Sequence, residues 1–154
     1  MSPIGFIGPM KLNQLKPSDE ELRVILEAGF ALRYTRRLNE AAEIFRGISA
    51  LLPQSDVPRV ALGTVELERG KFAEAQADCE EALRHAPDSL YARVHRAEAL
   101  LFQRRRSEAE VELNAIIAAD PESPHSRTAR ALLEAADLIC ADGDGHIDSR
   151  AEER

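Results

Sequence analysis

The sequence contains no tryptophan, and aromatic residues make up only 5% of the chain. Strands favour aromatic and β-branched side chains, whereas alanine, leucine and glutamate favour helices. The chain is rich in the second group. We therefore predict an all-α fold, and the 154 residues are enough for one ordinary domain.

The sequence also lacks the cysteine and histidine spacings that bind metals or form disulfide frameworks. The two cysteines, Cys79 and Cys140, lie far apart, and the four histidines share no ligand spacing with them or with each other. No nucleophile elbow, phosphate-binding loop or catalytic pair of carboxylates is present either. We therefore predict a protein that is not an enzyme and that carries no metal or other cofactor.

Long apolar segments and an excess of positive charge are missing as well. No apolar run approaches the roughly 20 residues that span a bilayer, and the N-terminus lacks the basic and apolar regions of a signal peptide. The formal net charge of −7 disfavours extended contacts with nucleic acid or anionic lipid. We predict a cytoplasmic protein with no nucleic-acid partner and no membrane insertion.

What the sequence does contain is a repeat of 34 residues. Identical residues recur at this interval: the alanines at 41, 75 and 109, the glutamate before each of them, and the prolines at 53, 87 and 121. Each unit reads as a helix, a short turn and a second helix that ends near the proline, whose ring cannot continue helical hydrogen bonding. A repeat of this length predicts stacked helix pairs, because each pair buries its apolar face against the next.

The repeat and its flanking signals divide the chain. The predicted units are at about 22–55, 56–89 and 90–123, and a closing helix follows at 124–141. We predict helices at about 19–34, 38–51, 57–68 and 73–85, a fifth helix that ends near residue 102 and a sixth that ends near residue 119. The repeat domain thus covers residues 18–141. An irregular arm, residues 1–17, precedes it, and an acidic tail, residues 142–154, is predicted to be disordered.

Polar residues and one glycine predict where helices begin and turn. The predicted N-caps are Ser18 and Ser107, each followed three residues later by the glutamate of a capping box, and also Asp56, Asp88 and Ser123. Pro124 suits the first position of the closing helix, because its missing N–H has no partner there. Gly70 supplies the turn of the second unit, since it adopts backbone angles that other residues resist.

Both ends of the chain and two of the turns leave alternatives open. The arm contains Ile4, Phe6 and Ile7, which could dock on the domain. Residues 142–148 resemble the middle of an EF-hand loop, but a cysteine and an alanine would take ligand positions that need oxygen, so we predict no calcium site. The arginine runs in the first and third turns, at 36–37 and 104–106, predict a basic edge that could steer an acidic client; solvated arginines are the alternative we favour.

The three copies resemble the tetratricopeptide repeat. That family's pattern has a Leu-Gly pair, then Ala-x3-Phe, then a proline near the end of 34 residues. The middle unit comes closest, with Leu62-Gly63 and Pro87 in place. The family's usual tryptophan near the start of each unit is missing, and Arg59 and Arg93 take its place in the second and third units. The resemblance implies an α-solenoid of three helix pairs plus a C-terminal capping helix.

The same resemblance implies that the first helix of each unit lines a concave groove. Ten apolar or aromatic residues occupy positions that usually face it: Leu26, Phe30, Tyr34, Val57, Val60, Leu67, Tyr91, Val94, Leu101 and Phe102. Apolar side chains exposed on a surface mark partner sites, so we predict that the groove binds a protein or peptide through an apolar or amphipathic segment. The alternative is that these positions belong to the core or are covered by the N-terminal arm.

Small acidic proteins with three such repeats, an apolar groove and a capping helix look like the type III secretion chaperones of Gram-negative bacteria. This resemblance implies a cytosolic chaperone or adaptor that holds an apolar segment of a translocator or needle subunit before export. The alternative is a structural scaffold that assembles a complex or a homodimer. Co-chaperones of Hsp70 and Hsp90 hold a C-terminal carboxylate with lysine and asparagine; the corresponding positions here, such as Leu26 and Phe30, offer neither, so that role is disfavoured.

Overall fold

The computed structural model describes residues 17–141, and this part of the chain is all helical. Its seven helices are α1 (Asp19–Tyr34), α2 (Leu38–Leu51), α3 (Asp56–Glu68), α4 (Phe72–His85), α5 (Leu90–Phe102), α6 (Arg106–Ala119) and α7 (Pro124–Ala141). The prediction of an all-α fold is confirmed. The predictions about the arm's docking, the disordered tail and its calcium-loop fragment fall on residues 1–16 and 142–154, which lie outside the described residues.

The helices stack in two layers. Each helix packs against the next one along the chain, and α1, α3, α5 and α7 also pack against one another in that order. This is the arrangement of an α-solenoid, in which each pair contacts only its neighbours. Helix α7 packs on both α5 and α6 and closes the C-terminal end of the stack, as predicted. None of the helices between residues 17 and 141 is long and apolar enough to cross a membrane.

Small residues stand where the two helices of a unit cross. A Cβ atom on Gly29 would lie 2.7 Å from the Phe45 ring, and one on Gly63 would lie 3.2 Å from the Ala75 carbonyl oxygen and the Cys79 sulfur. Neither gap admits a methyl group without movement of a fully buried neighbour. The small residues of the repeat therefore set how closely its paired helices approach.

The core runs through the stack as three clusters of buried side chains. The first joins α1, α2 and α3 around Phe45, the second joins α3, α4 and α5 around Val60, and the third joins α5, α6 and α7 around Leu101. Cys79 is wholly buried in the second cluster, and this burial raises the pKa of its thiol to about 12. The thiol therefore stays protonated and packs as a small apolar side chain.

The first capping box is formed as predicted. The Ser18 backbone N–H donates to Glu21 Oε2 at 2.7 Å, and the Glu21 backbone N–H donates to Ser18 Oγ at 3.3 Å. Two N–H groups that have no partner inside the helix are thereby satisfied. These bonds favour the carboxylate and hold the pKa of Glu21 below its usual range.

Three other predicted caps are wrong. Helix α6 begins before Ser107, directly out of a tight turn, so the residue in front of it lacks the extended backbone that a capping side chain needs. Ser89, rather than Asp88, caps α5, and its Oγ accepts from the Ala92 backbone N–H at 3.1 Å. Asp56 is the first residue of α3 and not its cap; its carboxylate accepts instead from the Ser89 hydroxyl.

The turn inside each unit has a residue with left-handed backbone angles at the same position. Gly70 has φ +74°, as its predicted role requires, and Arg36 and Arg104 take the same position in the first and third units with φ 63° and 64°. In each turn the next backbone N–H donates back across five residues, at 2.8–2.9 Å, to a carbonyl of the preceding helix. This is the usual hydrogen-bond pattern of a left-handed helix end, and the sequence did not predict arginine in that conformation.

Candidate functional site

Two pockets lie between α1 and α3, one at each end of these helices. The first, here called the apolar pocket, has a volume of about 320 Å³ and is lined by Asp19, Leu22, Arg23, Leu26, Ile48, Leu52, Ser55, Val57 and Pro58. The second, here called the aromatic pocket, has a volume of about 500 Å³ and is lined by Phe30, Arg33, Tyr34, Arg36 and Glu68. We call the surface that joins them the α1–α3 groove.

The apolar pocket is walled by aliphatic side chains from α1, α3 and the end of α2. Leu52 and Val57 are 36% and 37% exposed, while Ile48 and Pro58 behind them are buried. The one cation in the lining, Arg23, is held at the surface by Glu20 and Glu27 at 2.5 and 2.6 Å. The pocket can therefore take an aliphatic side chain without desolvating an unpaired cation.

The aromatic pocket combines exposed ring surface with a cluster of charges. Tyr34 is 90% exposed, and Phe30 packs on the buried Phe45 ring with centroids 5.0 Å apart. Glu68 accepts from Arg33 Nε through one carboxylate oxygen and from Arg36 through the other. Two guanidinium groups thus share one carboxylate, which leaves the pocket with a net positive charge.

Helical spacing explains why the same two helices line both pockets. Leu22, Leu26 and Phe30 follow one another at steps of four residues, so they form one stripe along α1. On α3, Val57 and Glu68 are eleven residues apart, about three turns, and they therefore share a face. The stripe begins in the apolar pocket and ends in the aromatic pocket.

Two predicted groove residues of the third unit lie against other rings. The Tyr91 ring meets the His95 ring edge-on at 5.1 Å and the His125 ring at 5.8 Å. Burial raises the pKa of the Tyr91 hydroxyl to about 12, so this group stays neutral. Phe102 stacks on Phe72 with centroids 4.9 Å apart. Both rings remain partly exposed on α5, beyond the two pockets of the α1–α3 groove.

Three of the ten predicted groove residues are core residues. Val60, Val94 and Leu101 are only 0%, 1% and 0% exposed. They lie on α3 and α5, and each of these helices has packed neighbours on both sides in its own layer. For these three positions the prediction of a groove surface is wrong, and the alternative of a core role holds. The other seven keep some exposed surface, four of them lining the two pockets: Leu26, Phe30, Tyr34 and Val57.

The pockets also contain residues that the sequence had not assigned to the site. Leu52 and Pro58 flank the loop between α2 and α3, and both line the apolar pocket. The signal for Leu52 was an apolar residue directly before Pro53, at a position where a loop is usually polar. Arg36 enters the aromatic pocket because the turn after α1 brings it within reach of Glu68 at the end of α3.

The turn arginines do not form a free basic edge. Each contacts an acid or a carbonyl: Arg36 with Glu68, Arg37 with Glu40, Arg104 with the Cys140 carbonyl, Arg105 with Glu108, and Arg106 with Glu110 and Asp137. These pairs are exposed, so each contributes little to stability. They nevertheless neutralise most of the charge of the two arginine runs, which favours the reading of solvated arginines.

Comparison with known proteins identifies the repeat. The family model described as tetratricopeptide repeat matches residues 66–133. No curated protein is significantly similar to the chain in sequence. The geometry of the described helices matches solved tetratricopeptide structures from bacteria and eukaryotes, three of which follow.

The first is the Yersinia enterocolitica type III secretion chaperone SycD in complex with a peptide of the translocator YopD, 20% identical over 79% of this chain and 95% of that one, with a TM-score of 0.67. The second is PcrH in complex with the chaperone-binding region of PopD. It is 19% identical over 81% of this chain and 97% of that one, with a TM-score of 0.69. The third is the second tetratricopeptide domain of human RPAP3 with an HSP70 peptide. It is 16% identical over 76% of this chain and 98% of that one, with a TM-score of 0.64. The described part of this chain has the fold of a tetratricopeptide-repeat domain, with three helix pairs and a closing helix.

Proposed function

We propose that this protein is a non-catalytic cytoplasmic chaperone or adaptor that holds an apolar segment of a secretion-system protein in the α1–α3 groove. The observation that carries the proposal is the apolar pocket, whose aliphatic wall opens to solvent through Leu52 and Val57. Tyr34 extends the exposed apolar surface at the other end of the groove. A concave surface of this kind on a binding scaffold is typical of a peptide site.

The groove suits an extended or helical segment with aliphatic anchors. Burial of one leucine-sized side chain contributes about 1.5–3 kcal/mol. Two or three such anchors contribute about 3–9 kcal/mol before the cost of ordering the segment is subtracted, which corresponds to an affinity weaker than about micromolar. Binding of this strength keeps an aggregation-prone segment from associating with itself and still allows release.

The comparisons support a secretion client more than a heat-shock client. SycD binds a peptide of the translocator YopD and PcrH binds the chaperone-binding region of PopD, whereas RPAP3 binds an HSP70 peptide. A clamp for a C-terminal carboxylate needs cationic and amide side chains, but Leu26, Val60 and Val94 occupy one of the corresponding positions here. Two of these three side chains are buried, so neither chemistry nor access favours a carboxylate clamp.

A fluorescent peptide of the PopD chaperone-binding region is a suitable probe. We expect it to bind the full chain in an anisotropy titration and to lose about tenfold in affinity with Val57→Glu, since a charge in the apolar pocket must be desolvated. Val111→Glu is the matched control, because Val111 is an exposed valine on α6 away from the groove. Absence of binding, or equal losses with the two variants, would contradict the proposal.

A second function, a structural scaffold that forms a homodimer, is favoured by a separate surface. Val24, Ile25 and Ala28 share one side of α1 and are all exposed, and no helix of the described residues packs over them. We expect sedimentation velocity to show a dimer that Val24→Glu converts to a monomer. A monomer at high micromolar concentration would contradict this second function and leave the first intact.

A further inference from the structure

The charge arrangement of the aromatic pocket points to the chemistry of its ligand. Arg33 and Arg36 both donate to Glu68, although they lie on either side of the end of α1. The Arg36 side chain is 67% exposed, whereas Glu68 is only 24% exposed. A guanidinium carries five N–H donors, and the bonds to Glu68 use one donor nitrogen of each arginine. The two arginines therefore have more N–H donors than the Glu68 carboxylate can satisfy, and the surplus donors face solvent.

A carboxylate is the group that matches this surplus. It accepts from a guanidinium in a bidentate geometry, and such bonds are stronger than those between neutral groups. Tyr34, beside Arg36 in the same pocket, offers an exposed ring against which the ligand backbone can pack. The net charge of −7 on the whole chain opposes an acidic ligand only weakly at this point, because salt screens distant exposed charges.

The distance between the pockets sets the spacing of the two recognised groups. Val57 in the apolar pocket and Glu68 in the aromatic pocket are eleven residues apart on α3. Eleven helical residues span about 16 Å. An extended peptide rises about 3.3 Å per residue and covers this distance in about five residues.

We propose that the α1–α3 groove selects an extended peptide in which an aliphatic side chain and an aspartate or glutamate are separated by about five residues. The aliphatic side chain enters the apolar pocket, and the acid binds Arg36 and Arg33 in the aromatic pocket. This inference rests on the proposed function and specifies the segment that the same groove holds.

Synthetic fluorescent peptides of about twelve residues, an extended length that spans the groove, test the inference directly. Each carries one leucine and, at a separation of about three to seven residues, an aspartate, an asparagine or a lysine. We expect aspartate to bind about fivefold tighter than asparagine at a separation near five. The advantage of aspartate should shrink as salt concentration rises.

Variants of Arg36 connect this preference to the pocket. Arg36→Glu should reverse the preference from aspartate to lysine. Arg36→Gly, which suits the left-handed backbone at this position, should abolish the difference between aspartate and asparagine without perturbing the turn. Arg37→Glu is the matched control, because the neighbouring arginine pairs with Glu40 and does not line the pocket.

The outcomes separate the inference from the proposed function. If no leucine-containing peptide binds while the PopD peptide does, only the inference fails; if neither binds, the proposed function fails and the inference fails with it. If leucine peptides bind but aspartate, asparagine and lysine are equivalent, or if Arg36→Glu and Arg37→Glu change the preference equally, only the inference is overturned.

Discussion

Arg59 and Asp78 form an ion pair that joins the two helices of the second unit. Arg59 Nη1 on α3 lies 3.3 Å from Asp78 Oδ1 on α4. One unit later, Arg93 Nε on α5 lies 2.5 Å from Glu112 Oε1 on α6, so the pair recurs at the repeat interval. These arginines stand where the tetratricopeptide pattern usually has tryptophan. An ion pair therefore takes the place of aromatic packing between the helices of these two units.

We expect Arg59→Ala to lower the free energy of unfolding by about 1–2 kcal/mol, because it leaves the largely buried Asp78 without its cation. The double variant Arg59→Ala with Asp78→Ala should recover part of this loss, since no acid then remains uncompensated. Urea unfolding followed by circular dichroism measures both. Arg23→Ala, which breaks an exposed pair on α1, is the control and should have little effect. Strict additivity of the two single changes would contradict a coupled pair.

Asp78 also predicts an unusual dependence of folding stability on pH. Burial raises the pKa of Asp78 above its ordinary value of 3.8, although Arg59 opposes the shift. A carboxyl with a raised pKa in the folded state favours folding most when it is protonated, and this contribution is lost as pH rises through the folded pKa. The wild type should therefore gain stability relative to Asp78→Asn as pH falls from neutral toward 3.8. A constant difference between the two proteins over this range would show that Asp78 does not titrate as described.

Two glycines with opposite surroundings give a further prediction. A Cβ on Gly29 would lie 2.7 Å from the buried Phe45 ring, whereas a Cβ on Gly47 in α2 would meet nothing within 4 Å. Gly29→Ala should lower the free energy of unfolding by about 1–3 kcal/mol through overpacking. Gly47→Ala should raise it by about 0.5–1 kcal/mol, because alanine favours a helix interior. Thermal unfolding of both variants checks the contrast, and equal signs would contradict the close approach of α1 and α2.

The sequence predicted the helices better than the groove, and the reason is visible at Leu26, Val60 and Val94. These three share one position of the repeat, so the repeat pattern cannot distinguish them. Leu26 lies on the first helix of the stack and lines the apolar pocket. Val60 and Val94 lie on helices with packed neighbours on both sides and are buried. The exposure of this position depends on where its unit lies in the stack, and the residues within one unit do not carry this information.

The helix bounds were predictable because prolines, turns and apolar spacing act locally. The first two helices have the predicted bounds, and the starts of α3 and α4 differ from the prediction by one residue. Contacts between distant residues were not predictable in this way. The partner of Arg59 lies on the next helix, and the partner of Arg36 lies 32 residues away at Glu68, so only the packed structure brings them together.

The closing helix supplies the last prediction. Ser126 is wholly buried at the start of α7, and its hydroxyl contacts two carbonyl oxygens at the end of α6: that of Asp120 at 2.6 Å and that of Ile116 at 3.2 Å. Ser126→Ala should cost about 1–2 kcal/mol of unfolding free energy, because buried acceptors then lose a partner. Thr128→Ala is the matched control: its hydroxyl contacts a carbonyl within α7 but is exposed to water. Similar losses for the two variants in urea unfolding would mean that Ser126 does not anchor α7 to α6, and that apolar packing alone closes the stack.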